Sequence, residues 1–232
     1  MIKIILWDID ATLLDFLKSE NMALKKAFAH FGLGECTDST VAEYSAINQS
    51  YWNRLETGEL TKEQVLVGRF EEFLNVKGFC DVDANEFCEF YELSLPDCVE
   101  FIGNAEETIK ALSNSYYQYA VTNGAKNVQT KKLAVSGIDG IFNGAFISDD
   151  VGYAKPSKEF FNFVLENIPK VSDDEILIVG DSLTSDIKGG NNMGFKTCWF
   201  NPHNLPLSNG YSVDYQIDNI DSIFDVLKQE NS

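Results

Sequence analysis

Basic residues are scarce in this chain: 18 lysines and arginines stand against 36 acidic residues, a net charge of -18 over 232 residues. Such a surplus opposes non-specific attraction to a nucleic acid polymer or to an anionic membrane surface. An anionic substrate must therefore be met by local positive charge. Histidine is rarer still, and His30 and His203 are too far apart in sequence to suggest a metal site. The five cysteines, Cys36, Cys80, Cys88, Cys98 and Cys198, form no CxxC pair and no zinc-ligand spacing. Their odd number reads as free thiols in a reducing cytoplasm. No apolar run is long enough to cross a bilayer. The apolar opening Ile4-Ile5-Leu6-Trp7 is cut short by Asp8 and Asp10, unlike a secretory leader. Internal repeats and low-complexity segments are also missing. What is left is ordinary globular composition, 44% hydrophobic and 23% charged, with enough residues for one sizeable core or two small ones.

The segment Ile2 to Trp7 is short and β-branched and stops at carboxylates, as a buried parallel strand does at a polar edge. From Ser19 to Leu95 the pattern changes. Leu24, Phe28 and Phe31, and again Ile47, Tyr51 and Leu55, recur at helical spacing, and Thr61 with Gln64 and Asp83 with Glu86 give helix-start signals. About four helices are expected there. Beyond it, strand and helix patterns alternate. A helix opened by Asn104 and Glu107 runs to Leu112, followed by a strand at Tyr117 to Val121, a helix at Val128 to Val135 and a short strand at Ala145 to Ile147. A helix capped by Ser157 precedes an all-apolar strand, Ile176 to Val179. A helix after Thr184, a strand at Lys196 to Phe200 and an amphipathic helix at Ile220 to Leu227 complete the series. Alternation of this kind implies right-handed crossovers and a parallel sheet covered on both faces. The predicted architecture is a Rossmann-like, doubly wound α/β core, residues 1–15 and 97–232, with an all-helical cap, residues 16–96, inserted after the first strand.

In a doubly wound sheet the reactive groups lie beyond the carboxyl ends of the strands. The residues that follow the predicted strands are Asp8, Asp10 and Thr12, then Thr122-Asn123-Gly124, then Lys155-Pro156 ahead of the Ser157 helix, then Gly180-Asp181-Ser182 with Asp186 beyond. Carboxylates brought together repel one another and raise each other's pKa unless a cation holds them ionised, and an oxygen-only donor set without histidine points to Mg2+. Asp8 and Asp10 are two apart, so an extended backbone projects them to the same side. Asp8 can then attack phosphorus while Asp10 protonates the leaving alkoxide and later deprotonates water. Thr122, the Asn123 amide and Lys155 are expected to hold phosphoryl oxygens, and Asp181 to ligate Mg2+. Asp186 is expected to orient Lys155 or the metal's water, with direct ligation left open.

These four segments, in this order, resemble the motifs of the haloacid dehalogenase-like hydrolases, and the resemblance covers nearly the whole chain. It implies the roles just given, with Mg2+ bound by the Asp8 and Asp181 side chains and the Asp10 main-chain carbonyl. Ala11 departs from the commoner glycine. Asn48, Trp52, Gly68-Arg69-Phe70 and Cys198-Trp199 are similar to the house-cleaning pyrimidine 5'-nucleotidase branch, which implies a nucleoside 5'-monophosphate as the small-molecule substrate and Arg69 as a candidate substrate-binding residue. Other small metabolites (a sugar phosphate, phosphoglycolate), phosphomutase chemistry, dehalogenation and a non-enzymatic binding module are the alternatives.

Taken singly, each motif has a plainer explanation as a helix cap or a turn. Their conjunction at strand ends carries the argument. Trp52 shares an apolar stripe with Tyr51 and Leu55 and is better read as helix packing than as a platform for a base.

Overall fold

The computed structural model describes residues 1–231, and among these the chain divides into two compact units, Met1–Asp15 with Glu100–Ser232, and Phe16–Val99. The first unit holds a parallel sheet of six strands in the order β3-β2-β1-β4-β5-β6. The strands are β1 (Ile4–Trp7), β2 (Tyr117–Thr122), β3 (Gly144–Ile147), β4 (Ile176–Gly180), β5 (Lys196–Phe200) and β6 (Tyr215–Ile217). Every residue of β1, and Ile176 to Val179 of β4, is fully buried. Burial on both faces is why these runs are continuously apolar rather than alternating. The crossovers run through α5 (Ala105–Leu112), α6 (Lys126–Ser136), α7 (Ser148–Val151) with α8 (Lys158–Glu166), and α9 (Lys188–Met193), and α10 (Ile223–Glu230) follows β6.

Strand order reverses at β1, which pairs with β2 on one side and β4 on the other. Trp7, the last residue of β1, lies opposite both Ala120 and Val179, so β4 runs one residue and β2 two residues past it. Chain leaving neighbouring strands in opposite directions opens a crevice at this switch point, the general ligand position in doubly wound sheets. Asp8 and Asp181 follow the two strands that flank it.

The second unit contains α1 (Phe16–Phe31), α2 (Asp38–Glu56), α3 (Lys62–Lys77) and α4 (Ala84–Ser94). Thr61 and Gln64 form a reciprocal capping box, and Asp83 accepts from the Asn85 and Glu86 amides, which holds its carboxyl below the usual range. The core of this unit is aromatic. The Phe70 ring lies 5.1 Å from Tyr44, 5.2 Å from Phe87 and 5.1 Å from Tyr91.

Three local expectations need correction or extension. Asn104 precedes α5 but its side chain accepts no capping hydrogen bond. The helix after Thr184 begins earlier as a wide turn, Leu183–Ile187, capped by Ser182 accepting from the Ser185 amide. The edge strand β6 has no counterpart in the sequence pattern, because three residues are too few to show a period. All five cysteines are free thiols, and no helix among the described residues is long and apolar enough to cross a membrane.

Candidate active site

Beyond Trp7 the extended backbone ends. The Leu13 and Leu14 amides both donate to the Ile9 carbonyl, and Ala11 turns through a φ of 64°. That conformation brings a Cβ close to its own peptide group, at a cost of about 1–2 kcal/mol, which is the physical reason glycine suits this position. Ala11→Gly removes the strain but returns about 0.5–1 kcal/mol of freedom to the unfolded chain. The expected outcome is a net gain of up to about 1 kcal/mol in urea denaturation. A loss would show that the turn does not strain Ala11.

The turn carries Thr12 back toward the strand ends. Its hydroxyl is 3.0 Å from Asp8 Oδ2 and 3.2 Å from Asp181 Oδ1, and it accepts from the Asp181 main-chain N–H at 3.1 Å. With one proton to give, it serves one carboxylate at a time. Lys155, 2% exposed, donates its three protons to Asp8 Oδ1 at 2.7 Å, Asp186 Oδ1 at 2.7 Å and the Val121 carbonyl at 2.8 Å. The Lys155–Pro156 peptide is cis. Asn123 braces the main chain of Lys155 in both directions, Nδ2 donating to its carbonyl at 3.0 Å and Oδ1 accepting from its N–H at 2.8 Å. The Asn123 side-chain amide is thus a support for Lys155. Thr122, also buried, accepts from the Gly124 amide at 3.2 Å.

Asp186 is fully buried, its second oxygen accepting from the Ser182 amide at 3.2 Å. It lies so close to the β4 terminus that a Cβ on Gly180 would sit 2.2 Å from Asp186 Oδ2, so only glycine leaves it room. The indole N–H of Trp199 donates to the Asp181 carbonyl at 2.9 Å and fixes the same loop from β5.

Carboxylate oxygens of Asp8, Asp181 and Asp186 all lie within 4.8 Å of one another. Three carboxylates facing one ammonium leave two negative charges in excess. Burial, then the charges of Asp186 and Asp10, push the Asp8 carboxyl up to about 7 in spite of Lys155. Burial and the Asp8 and Asp186 charges raise Asp181 as well. Burial opposes the charge on Lys155, but Asp186 and Asp8 outweigh it and the ammonium stays protonated. A compact, oxygen-only set with an excess of two negative charges suits a hard divalent cation such as Mg2+. Asp186 belongs to this set by distance while its Oδ1 is held by Lys155, so both roles foreseen for it are compatible with its position.

Asp10 faces different partners. Gln129 Nε2 donates to its Oδ2 and Lys132 Nζ to its Oδ1, both at 2.6 Å. Gln129 and Lys132 project from the same face of α6, and each is only 1% exposed. Sequence reasoning passed over both. Their three-residue spacing just after Thr122-Asn123-Gly124 was the available signal. Arg69 is not among these groups. It is buried within the helical unit, donating to Asn48 Oδ1 at 2.8 Å and lying 3.5 Å from Glu92 Oε1, with Phe70, Tyr91 and Trp52 against its guanidinium. Asn48 in turn donates to the buried Glu20 at 2.8 Å.

The model of the family described as haloacid dehalogenase-like hydrolase matches residues 5–200. The HAD-hydrolase YfnB of Bacillus subtilis is 36% identical over 228 residues, 98% of this chain and 96% of that protein. Its crystal structure, bound to magnesium, superimposes with a TM-score of 0.92 over 97% of this chain and 98% of that one. The pyrimidine 5'-nucleotidase PynA of Streptococcus pneumoniae is 31% identical over 97% of this chain and 94% of its own length. The pyrimidine 5'-nucleotidase YjjG of Escherichia coli is 27% identical over 96% of both.

Proposed function

Because this chain belongs to the haloacid dehalogenase-like hydrolases, we propose that it is a phosphatase that transfers the phosphoryl group of a small monoester to Asp8 and then to water. The observation that carries this reading is the division between two carboxyls two residues apart. Asp8 is buried against Lys155 and Thr12, whereas Asp10 is partly exposed and held by a separate pair of donors. One is built as a nucleophile and the other as a proton carrier. Displacing a halide needs no proton donor, so a dehalogenase would use only the later of the two proton transfers assigned to Asp10, the one from water.

Asp8 attacks phosphorus with one oxygen, its plane fixed by Lys155 and Thr12. As the bridging P–O bond breaks, Asp10 gives a proton to the leaving oxygen and keeps the electron pair. Asp10 then takes a proton from the water that attacks the aspartyl-phosphate, which restores both carboxyls. Lys155 and Thr122 are the groups assigned to the equatorial phosphoryl oxygens, on which charge gathers. Mg2+, held by Asp8, Asp181 and the Asp10 carbonyl, would offset the excess negative charge and keep Asp8 ionised.

Nucleoside 5'-monophosphates are the proposed substrates, with pyrimidine bases first, supported by the names of PynA and YjjG. Phosphate release should be measured across nucleoside and sugar monophosphates with Mg2+ and again with a chelator. Release should require Mg2+ and be fastest for pyrimidine nucleotides. Equal rates on sugar phosphates would discard the nucleotide assignment, and an isomerised ester without free phosphate would replace hydrolysis by mutase chemistry.

A further inference from the structure

The ammonium of Lys132 and the amide of Gln129 both end on the carboxyl group of Asp10, residues distant in sequence joined by two bonds of 2.6 Å. We propose that Gln129 and Lys132 are positioning residues that hold the Asp10 carboxyl in the plane from which it exchanges protons with the leaving group and with water. The proposal rests on the phosphatase reading above and adds a device to it.

Three features point the same way. First, burying a lysine and a glutamine on one helix face is costly unless their polar atoms are used, and both are used on Asp10. The Lys132 side chain is 1% exposed against 24% for Asp10, so the lysine stands behind the carboxyl and the carboxyl stands toward the open side. Second, a carboxyl group offers about four acceptor positions. Lys132 and Gln129 occupy one on each oxygen, which fixes rotation about the Cβ–Cγ bond while leaving positions for a substrate oxygen or water. Third, Gly124 exists to admit Gln129. A Cβ there would lie 2.0 Å from Gln129 Nε2 and 2.7 Å from its Cδ. The Gln129 Oε1 is buried without a hydrogen-bond partner. The amide is therefore placed for what its nitrogen does on Asp10, at the expense of its own acceptor.

A residue acting through a general acid should matter in proportion to how much the leaving group needs a proton. The test is a series of substituted phenyl phosphates of similar shape, from phenyl phosphate to 2,4-dinitrophenyl phosphate, followed by kcat/KM so that only the phosphoryl-transfer step is read. For Lys132→Met we expect a loss of about 10- to 100-fold on phenyl phosphate, within the range of general acid catalysis, and a loss under about threefold on the dinitrophenyl ester. Gln129→Met, which loses an acceptor that already has no partner, should show the same split at smaller amplitude and guards against failure of Lys132→Met to fold. Equal losses across the series for the folded variants would overturn the positioning role, because a merely structural defect does not sense the leaving group. Wild-type protein is run alongside. If it releases no phosphate from any ester the phosphatase reading itself fails, whereas an active wild type with unsplit variants removes only this inference.

Discussion

Asp8→Asn is expected to lower phosphate release by about 10^4-fold or more while the protein stays folded, because removing a covalent nucleophile leaves only binding and charge stabilisation. The amide keeps the shape of the carboxyl and still offers Lys155 an acceptor, but its nitrogen lone pair is delocalised and does not attack phosphorus. Stability should move the other way. The Asp8 carboxyl sits at about 7 in the folded protein against an ordinary 3.8, chiefly through burial. A group raised in this way binds its proton more tightly folded than unfolded, so its ionisation subtracts stability as pH rises from about 4 through 7. Asparagine has no such loss. Without divalent cation, the Tm of Asp8→Asn should equal or exceed that of the wild type at pH 8, with the difference shrinking toward pH 4. Phosphate release within tenfold of wild type would sink Asp8 as the nucleophile.

Lys155→Met should be more damaging to the fold than any other change in the site. Its ammonium bonds directly to both Asp8 and Asp186, and it also satisfies the Val121 carbonyl. Methionine fills a similar volume but leaves buried carboxylates facing one another and a carbonyl without its donor. Removing one partner of a buried ion pair costs about 3–5 kcal/mol. Urea denaturation of metal-free protein at neutral pH should show a loss of that order, smaller at pH 5, where the carboxyls raised by burial take up protons. Activity should fall with it, since Lys155 is the side chain proposed to meet the phosphoryl oxygens. A variant as stable as the wild type at both pH values would mean that the carboxylates do not depend on Lys155.

The parallel sheet, the helical insertion and most of the strand-end residues were legible because each is a local statement. A buried parallel strand is an apolar run, and the side chain that follows it is placed by covalent adjacency. Ile176 to Val179 followed by Gly180-Asp181 is such a case, and so is Ile4 to Trp7 followed by Asp8. Capping at Thr61, Asp83 and Ser157 was legible for the same reason, since each bond spans three residues. Where a local rule competed with tertiary packing it misled. Asn104 has the right chemistry for a cap and does not act as one.

On α6 the usual rule is reversed: Val135 is 59% exposed while Lys132 is buried. Hydropathy assigns those two to the opposite faces, because it prices a lysine against water and not against a carboxylate that arrives from another strand. That Asp8 and Asp10 follow β1 and Asp181 follows β4 was determined by the sequence alone. Which carboxyl meets which cation was decided only by tertiary structure. Lys155 could have served any of the acids and was given to Asp8 and Asp186, while Asp10 was given to Gln129 and Lys132, 119 and 122 residues away. Pairing at that separation depends on which strands lie side by side and on the room left by Gly124, neither of which leaves a periodic trace along the chain.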